Sequence, residues 1–245
     1  MNKLITSWLS EGGQPAASRA LLASRQHTVI FLLICAAITA TSAMNASGRG
    51  TAGSPVSTAQ ILWVYLFLIA LEWLWVRFVM RGMQRQGRTI RELLGQRWAT
   101  PAQIAMDLIY AALTFGLIYG LAFADSRLWP HGSAPNNPLL PAIPAGPLGI
   151  TVWIALSVSA GICEEIVFRG YLQRQLAALS GKPHLAILGQ AIVFGVAHGY
   201  EGVRAALFIV IYGLVLGCLA AWRGNIRAGI WEHAAWDILA GLGYI

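Results

Sequence analysis

Seven long apolar runs, separated by short polar segments, constrain what this chain can fold into more than any other feature of its sequence. A helix needs about 20 mostly apolar residues to cross a bilayer, and most of the runs approach that length. They cover Val29–Met44, Thr58–Met80, Ala102–Phe123, Leu148–Phe168, His184–Ala197, Ala205–Trp222 and Ala228–Tyr244. The sequence therefore predicts an all-α, polytopic membrane helix bundle of about seven transmembrane helices, with residues 1–245 forming a single integral membrane domain.

The composition of the chain fits a membrane protein better than a soluble domain of the same length. Apolar residues make up 57% of the sequence, and only 11% of residues are Asp, Glu, Lys or Arg. Soluble domains carry about 25% charged residues, which they need to cover their surface. The net charge of +7 comes from basic residues that lie between the apolar runs rather than on one face. It therefore indicates anionic lipid headgroups as partners, and not nucleic acid.

The distribution of Lys and Arg predicts how the runs are oriented in the membrane. If the N-terminus is cytoplasmic, only Arg49, Arg127 and Arg204 of the 17 basic residues fall in outer segments. This bias follows the positive-inside rule, and it predicts a protein of the plasma (inner) membrane with its C-terminus outside. The first run follows a polar lead of 28 residues, which is long for a signal peptide, so we expect a retained helix.

One connecting segment has a character of its own. Arg81–Trp98 carries five arginines together with Ile90, Leu93 and Leu94. This mixture favours a basic amphipathic helix that lies at the interface of the inner leaflet. The alternative for this segment is an ordinary solvated loop.

Ionisable residues inside apolar runs are candidates for function, because placing them in a membrane is costly. The candidates are Glu72, Asp107, Glu164, Glu165, Arg169, His198, Glu232, His233 and Asp237. Glu72 and Asp107 stand alone, so we interpret them as structural residues of the bundle. The other seven lie in three predicted helices within residues 150–240, and packing does not readily explain such clustering.

The first of these helices contains two adjacent glutamates. Glu165 and Arg169 are four residues apart, which is the spacing of an ion pair on one helix face. Glu164 is rotated about 100° from Glu165 around the helix, so Arg169 cannot easily neutralise both carboxylates. We therefore expect Glu165 and Arg169 to form a structural ion pair and Glu164 to face a cavity as a general base. The alternative is that both glutamates share the arginine as a helix brace.

The second and third helices contribute histidines. His198 and Glu164 each lie 17 residues from the centre of a turn near residue 181, so an antiparallel helix pair would place them at the same height. His233 and Asp237 are four residues apart, which puts them on one face of the last helix. Each histidine alone also has a structural interpretation, in which a neighbouring group simply holds its ring.

Taken in order, these motifs resemble those of a known family. Glu-Glu-x-x-x-Arg at 164–169, Phe-x-x-x-His at 194–198 and His-x-x-x-Asp at 233–237 look like the motifs of the CPBP (CAAX protease and bacteriocin-processing, or Abi) intramembrane endopeptidases. The resemblance covers about Ile150 to Asp237, and the short length and basic inner face are similar to those of bacterial members. It implies a multi-pass protease that hydrolyses a peptide or a membrane-associated protein.

The resemblance also implies a role for each motif residue. Glu164 and His198 would activate the attacking water, while His233 and Asp237 would polarise the scissile carbonyl and stabilise the oxyanion. Members are usually described as metalloproteases, and Glu164, His198, His233 and Asp237 could equally hold a divalent metal such as zinc. Position 237 departs from the commoner asparagine of the family, since an ionised aspartate cannot donate a hydrogen bond to an oxyanion.

Two other functions stay open on the sequence. A member of the family could act without catalysis, as a membrane scaffold or an immunity protein. A small ion- or proton-coupled transporter could also use buried carboxylates, although the sequence shows no inverted repeat.

Overall fold

The computed structural model describes residues 20–47, 57–95, 98–128 and 146–244, and this part of the chain is helical without any β-strand. The all-α prediction is therefore confirmed. The helices are α1 Arg25–Ser47, α2 Thr58–Gln84, α3 Arg91–Leu94, α4 Pro101–Leu128, α5 Pro147–Glu164, α6 Gln173–Ser180, α7 Pro183–Ala197, α8 Val203–Arg223 and α9 Arg227–Gly241. A π-helical stretch at Glu165–Leu172, here called the π segment, joins α5 to α6, and a 3-10 turn at Gly199–Glu201 joins α7 to α8.

Four helical stretches of the described chain are long and apolar enough to cross a membrane. They are α2, α4, α8 and the continuous helix Pro147–Ser180, which comprises α5, the π segment and α6. Helices α7 and α9 have 15 residues each, so each is about 22 Å long. This is less than the hydrocarbon core of a bilayer, which is about 30 Å thick. A helix lies over each of the seven predicted runs, but the predicted number of seven spans is not confirmed. The chain has the architecture of a multi-pass membrane protein.

One end of the bundle gathers three connecting segments that are distant in sequence. The Arg174 guanidinium donates hydrogen bonds to the carbonyl oxygens of Glu92, Leu93 and Gly224. The end of α2 with α3, the start of α6 and the turn between α8 and α9 therefore lie on the same side of the protein. These are the segments in which the sequence concentrates its arginines, and we call this side the basic end.

The prediction of an amphipathic helix over Arg81–Trp98 is wrong. Helix α2 runs on to Gln84, Gly87 and Gly95 adopt positive φ angles of 68° and 81°, and only α3 is helical between them. Positive φ ends a right-handed helix, so the segment cannot continue as one element. Leu93 is fully buried against Gly170 of the π segment. Leu93 thus packs into the core, and Ile90 and Leu94 pack against that core instead of facing the leaflet.

The helices that carry the motifs pack against one another around a common core. Helix α5 lies against α2 and α9, and α7 pairs with α8. The core around the π segment includes Phe31, Tyr171 and Phe194, which are all almost fully buried. Gly161 permits a close crossing of α5 and α9, because a methyl group at this position would lie 2.7 Å from the backbone nitrogen of Ala234. This crossing holds the end of α5 beside the middle of α9.

Asp107 is held by a buried ionic cluster at the basic end. Its carboxylate oxygens lie 2.9 Å from Arg223 Nη2 and 2.9 Å from Arg227 Nε, and Trp98 Nε1 donates to it at 2.8 Å. The side chain of Asp107 is fully buried. The sequence shows no partner for Asp107, because its arginines belong to α8 and α9. The cluster fastens α4 to the turn between those two helices.

We expect Asp107→Asn to destabilise the protein strongly, because the substitution leaves two partly buried arginines without their shared anion. Breaking a buried pair typically costs about 3–5 kcal/mol. Asp125→Asn is the matched control, since the ion pair of Asp125 with Arg204 is about one-third exposed and should contribute less than about 1 kcal/mol. Thermal unfolding of both variants in one detergent measures the difference. Equal midpoints would show that the cluster does not hold α4.

Candidate active site

A cavity of about 630 Å³ opens among α1, α2, α5, α7, α8 and α9. Most of its wall is apolar and aromatic, with Trp75, Phe168, Phe194 and Trp236 among the lining residues. The carboxylates and imidazoles that line it belong to Glu72, Glu164, His198, Glu201, His233 and Asp237. The cavity therefore combines an apolar interior with a local group of carboxylates and imidazoles, which is the composition expected of a ligand-binding or catalytic site.

Glu164 and His198 face each other across the antiparallel helices that contribute them. Glu164 Oε2 lies 4.0 Å from His198 Nε2, and the side chains are 22% and 18% exposed. This contact agrees with the equal height that the turn near residue 181 predicts. The other ring nitrogen, His198 Nδ1, lies 2.9 Å from the Phe194 carbonyl oxygen. Because a carbonyl only accepts, Nδ1 carries a proton, and in the neutral ring Nε2 is an acceptor that faces Glu164.

His233 lies at the centre of the acidic side chains. Its Nε2 is 3.7 Å from Glu164 Oε2 and 3.7 Å from Asp237 Oδ2, and its Nδ1 is 3.2 Å from Glu165 Oε1. The contact with Glu165 is a hydrogen bond, whereas the two contacts of Nε2 are longer than hydrogen bonds. An ionised Glu165 can only accept, so Nδ1 donates to it and the ring is oriented with Nε2 toward the cavity.

Glu165 and Arg169 form a fully buried ion pair in the π segment. Arg169 Nη1 lies 2.9 Å from Glu165 Oε1, and the guanidinium stacks 4.2 Å from the centre of the Phe194 ring. Gly229 leaves room for the carboxylate, since a methyl group there would lie 2.7 Å from Glu165 Oε2. Glu165 Oε1, the oxygen that faces Arg169, also contacts His233 Nδ1, so the pair positions a residue of the cavity. The sequence predicted the ion pair but not its contact with His233.

Two further carboxylates of the cavity were missed as site residues. Glu72 of α2 accepts a hydrogen bond of 2.6 Å from the Ser159 hydroxyl of α5. Glu201 lies in the 3-10 turn that follows His198, and its carboxylate hydrogen-bonds the Tyr200 side chain. Burial raises the pKa of the Glu201 carboxyl, as does Glu164, while His198 and the Tyr200 hydroxyl lower it. The position of Glu201, three residues after the motif histidine, was the only signal available in the sequence.

The described residues do not form a metal centre. Within residues 20–47, 57–95, 98–128 and 146–244, no three His, Cys, Asp or Glu side chains are arranged so that they could hold a metal ion. Glu164, His198, His233 and Asp237 share one cavity, with separations of 3.7–4.0 Å between Glu164 and each histidine and between His233 and Asp237. The zinc site that the sequence offered as an alternative stays a prediction.

The fold and the cavity define a helical membrane protein with an embedded glutamate–histidine site. Residues 146–239 match the family model of the type II CAAX prenyl endopeptidases, Rce1-like. The match confirms the resemblance that the motifs indicated, and it supports a CAAX-type protease at the level of that family. The matched segment runs from the start of α5 into α9, and it contains all seven motif residues of the sequence analysis. Comparisons with curated proteins and with solved structures gave no match.

The two adjacent glutamates should differ in their effect on stability. Glu165→Gln and Arg169→Ala each leave a fully buried charge without its partner, so we expect losses of about 3–5 kcal/mol in the free energy of unfolding. Glu164→Gln should unfold near the wild-type temperature, because its carboxylate is partly exposed and makes no direct hydrogen bond at 3.7–4.0 Å. Thermal unfolding of the three variants tests this. If Glu164→Gln proves the unstable variant, the two glutamates have exchanged roles.

Proposed function

We propose that the protein is an intramembrane endopeptidase that hydrolyses peptide bonds of a membrane-associated protein or peptide with water activated by Glu164 and His198. The observation that carries this proposal is the pairing of Glu164 Oε2 with His198 Nε2, 4.0 Å apart and turned toward one apolar cavity. The two atoms are too far apart to hydrogen-bond each other, and Glu164 Oε2 has no hydrogen-bond partner among the described residues, so a bound water molecule would supply one.

The donor and acceptor roles of this pair suit the activation of water. A water molecule that contacts both groups would donate one proton to Glu164 Oε2 and the other to His198 Nε2, since both atoms are acceptors. Its oxygen lone pair would then point away from both groups, toward a peptide carbonyl carbon in the cavity. Glu164 takes the proton as the carbon–oxygen bond forms, and it delivers that proton to the amide nitrogen as the carbon–nitrogen bond breaks.

His233 and Asp237 would stabilise the negative charge that develops on the carbonyl oxygen. With both ring nitrogens protonated, His233 donates from Nε2 to the oxyanion while Nδ1 remains bonded to Glu165. Asp237 can donate a second hydrogen bond only as a neutral acid. The Glu165–Arg169 pair fixes the ring that donates, so it is a positioning element of the mechanism.

Cleavage of a peptide library by the purified protein in lipid nanodiscs tests this function directly. We expect the wild type to cut peptides with an apolar segment, and Glu164→Ala to lose this activity while remaining folded. The assay is run with and without a chelator, and we expect equal rates because no step of the proposed mechanism uses a metal. A wild type that cuts no peptide, or a Glu164→Ala variant that cuts at the wild-type rate, would refute the proposal.

The variant Asp237→Asn distinguishes two roles of Asp237, a neutral acid that donates to the oxyanion and a ligand of a metal ion. If Asp237 donates as a neutral acid, the asparagine should keep much of the activity, and the loss of activity at higher pH should become flatter because no proton can leave the amide. Removal of one oxyanion donor typically costs about 10²–10³ in kcat, so a loss of that size in Asp237→Asn would show that the amide does not replace the acid. Profiles of kcat against pH for the wild type and the variant provide the measurement. Parallel loss of bound metal and of cleavage would contradict the metal-free mechanism.

We further propose that all seven apolar runs cross the plasma membrane, with the N-terminus and the basic end on the cytoplasmic side. Two observations support this orientation: the excess of arginines in the segments of that end, and the bonds of Arg174 that join those segments. Reporters fused after Arg97 and Lys182 should report inside, and reporters fused after Pro138 and Ile245 outside. A C-terminal reporter on the inside would show that the span count is wrong by one.

A further inference from the structure

The acidic residues of the protein fall into two groups that differ in their partners. Nine of the ten lie in the described part of the chain, and four of these pair with an arginine: Glu92, Asp107, Asp125 and Glu165. The other five have no Lys or Arg partner among the described residues. Four of the five line the cavity, namely Glu72, Glu164, Glu201 and Asp237. The protein thus neutralises its carboxylates with arginine nearly everywhere except in the cavity.

Within the described part of the chain, no lysine or arginine lines the cavity. The two arginines close to these carboxylates in sequence have other partners. Arg204, three residues after Glu201, pairs with Asp125. Arg169, five residues after Glu164, is fully buried and pairs with Glu165.

Among the described residues, none of the four carboxylates has a guanidinium or ammonium partner, and the two imidazoles near Glu164 and Asp237 cannot neutralise all four. An opposite charge that enters this largely apolar cavity offsets the cost of the remaining negative charge. The arrangement is therefore complementary to a cation that comes from outside the chain.

The placement of the carboxylates favours a peptide over a metal ion as the source of that cation. They come from four elements, α2, α5, the 3-10 turn and α9, and no three of the cavity's ligating side chains in the described chain converge on one point. Such a spread suits an extended segment with apolar residues and a long basic side chain. Glu201 is the best placed to receive that side chain, because it alone of the four carboxylates lies in a short connecting turn, which begins at Gly199 and is followed by Gly202.

We propose that the cavity selects peptide segments that carry a lysine or arginine close to the scissile bond, and that Glu201 binds the cationic side chain. The inference rests on the proposed endopeptidase function and adds the class of substrate. It also predicts that an acidic residue or a free carboxylate beside the scissile bond is disfavoured, because it would meet several carboxylates of like charge.

The probe is a library of apolar 12-residue peptides in which one scanned position is Lys, Gln or Glu. The purified full-length protein in nanodiscs should cut the Lys peptides with a kcat/KM at least about tenfold above that of the Gln peptides, and the Glu peptides most slowly. Glu201→Gln should bring the Lys and Gln values together while the Gln peptides are still cut. Glu92→Gln is the matched control, because Glu92 does not line the cavity, and it should keep the wild-type ratio.

Binding of labelled Lys and Gln peptides to Glu164→Gln separates failure of this proposal from failure of the proposed function. Tighter binding of Lys peptides that depends on Glu201, without any cleavage by the wild type, would support cation selection and refute the endopeptidase. Cleavage without a charge preference, or a Lys preference that survives Glu201→Gln, would overturn cation selection and leave the endopeptidase standing. Equal binding of both peptides together with Glu201-dependent binding of added Zn²⁺ would assign the carboxylates to a metal ion and overturn the proposal.

Discussion

The buried ion pair between Glu165 and Arg169 is the interaction on which the rest of this structure depends. Both side chains are fully inaccessible, and their atoms meet at 2.9 Å inside the π segment. From this pair, one contact reaches α7 through the stacking of Arg169 on Phe194, and another reaches α9 through the hydrogen bond of Glu165 to His233. A single pair of charges thus fixes the relative positions of the three elements that carry the motifs.

This arrangement gives two neighbouring glutamates different physical roles. Glu165 is neutralised by Arg169 and orients an imidazole, whereas Glu164 keeps its carboxylate in the cavity without a guanidinium partner. Two glycines make the geometry possible: Gly161 lets α5 approach α9, and Gly229 leaves space for the Glu165 carboxylate. The proposed chemistry needs both arrangements, since a free base is useful only if the groups that surround the substrate carbonyl are held in place.

Much of this architecture could be predicted from the sequence, because its main determinants are local or follow from simple geometry. Apolar runs gave the helices, the four-residue spacing gave the Glu165–Arg169 pair, and equal distances from one turn placed Glu164 level with His198. Features set by contacts between distant segments could not be predicted. The partners of Asp107 come from α8 and α9, and the burial of Leu93 against Gly170 replaces the expected amphipathic helix. Glu201 was overlooked because it lies between two apolar runs rather than within one.

The central claim of this account is that Glu164 and His198 act on the same water molecule, and a double-mutant cycle on the rate of peptide cleavage tests it most directly. The rates are measured for the wild type, Glu164→Gln, His198→Ala and the double variant in the same nanodiscs. When two residues act on the same step as one unit, the effects of their substitutions on the rate are strongly non-additive. The account therefore predicts that the double variant is no slower than the slower single variant. Losses that multiply in the double variant would show that the two residues act independently and would contradict the account.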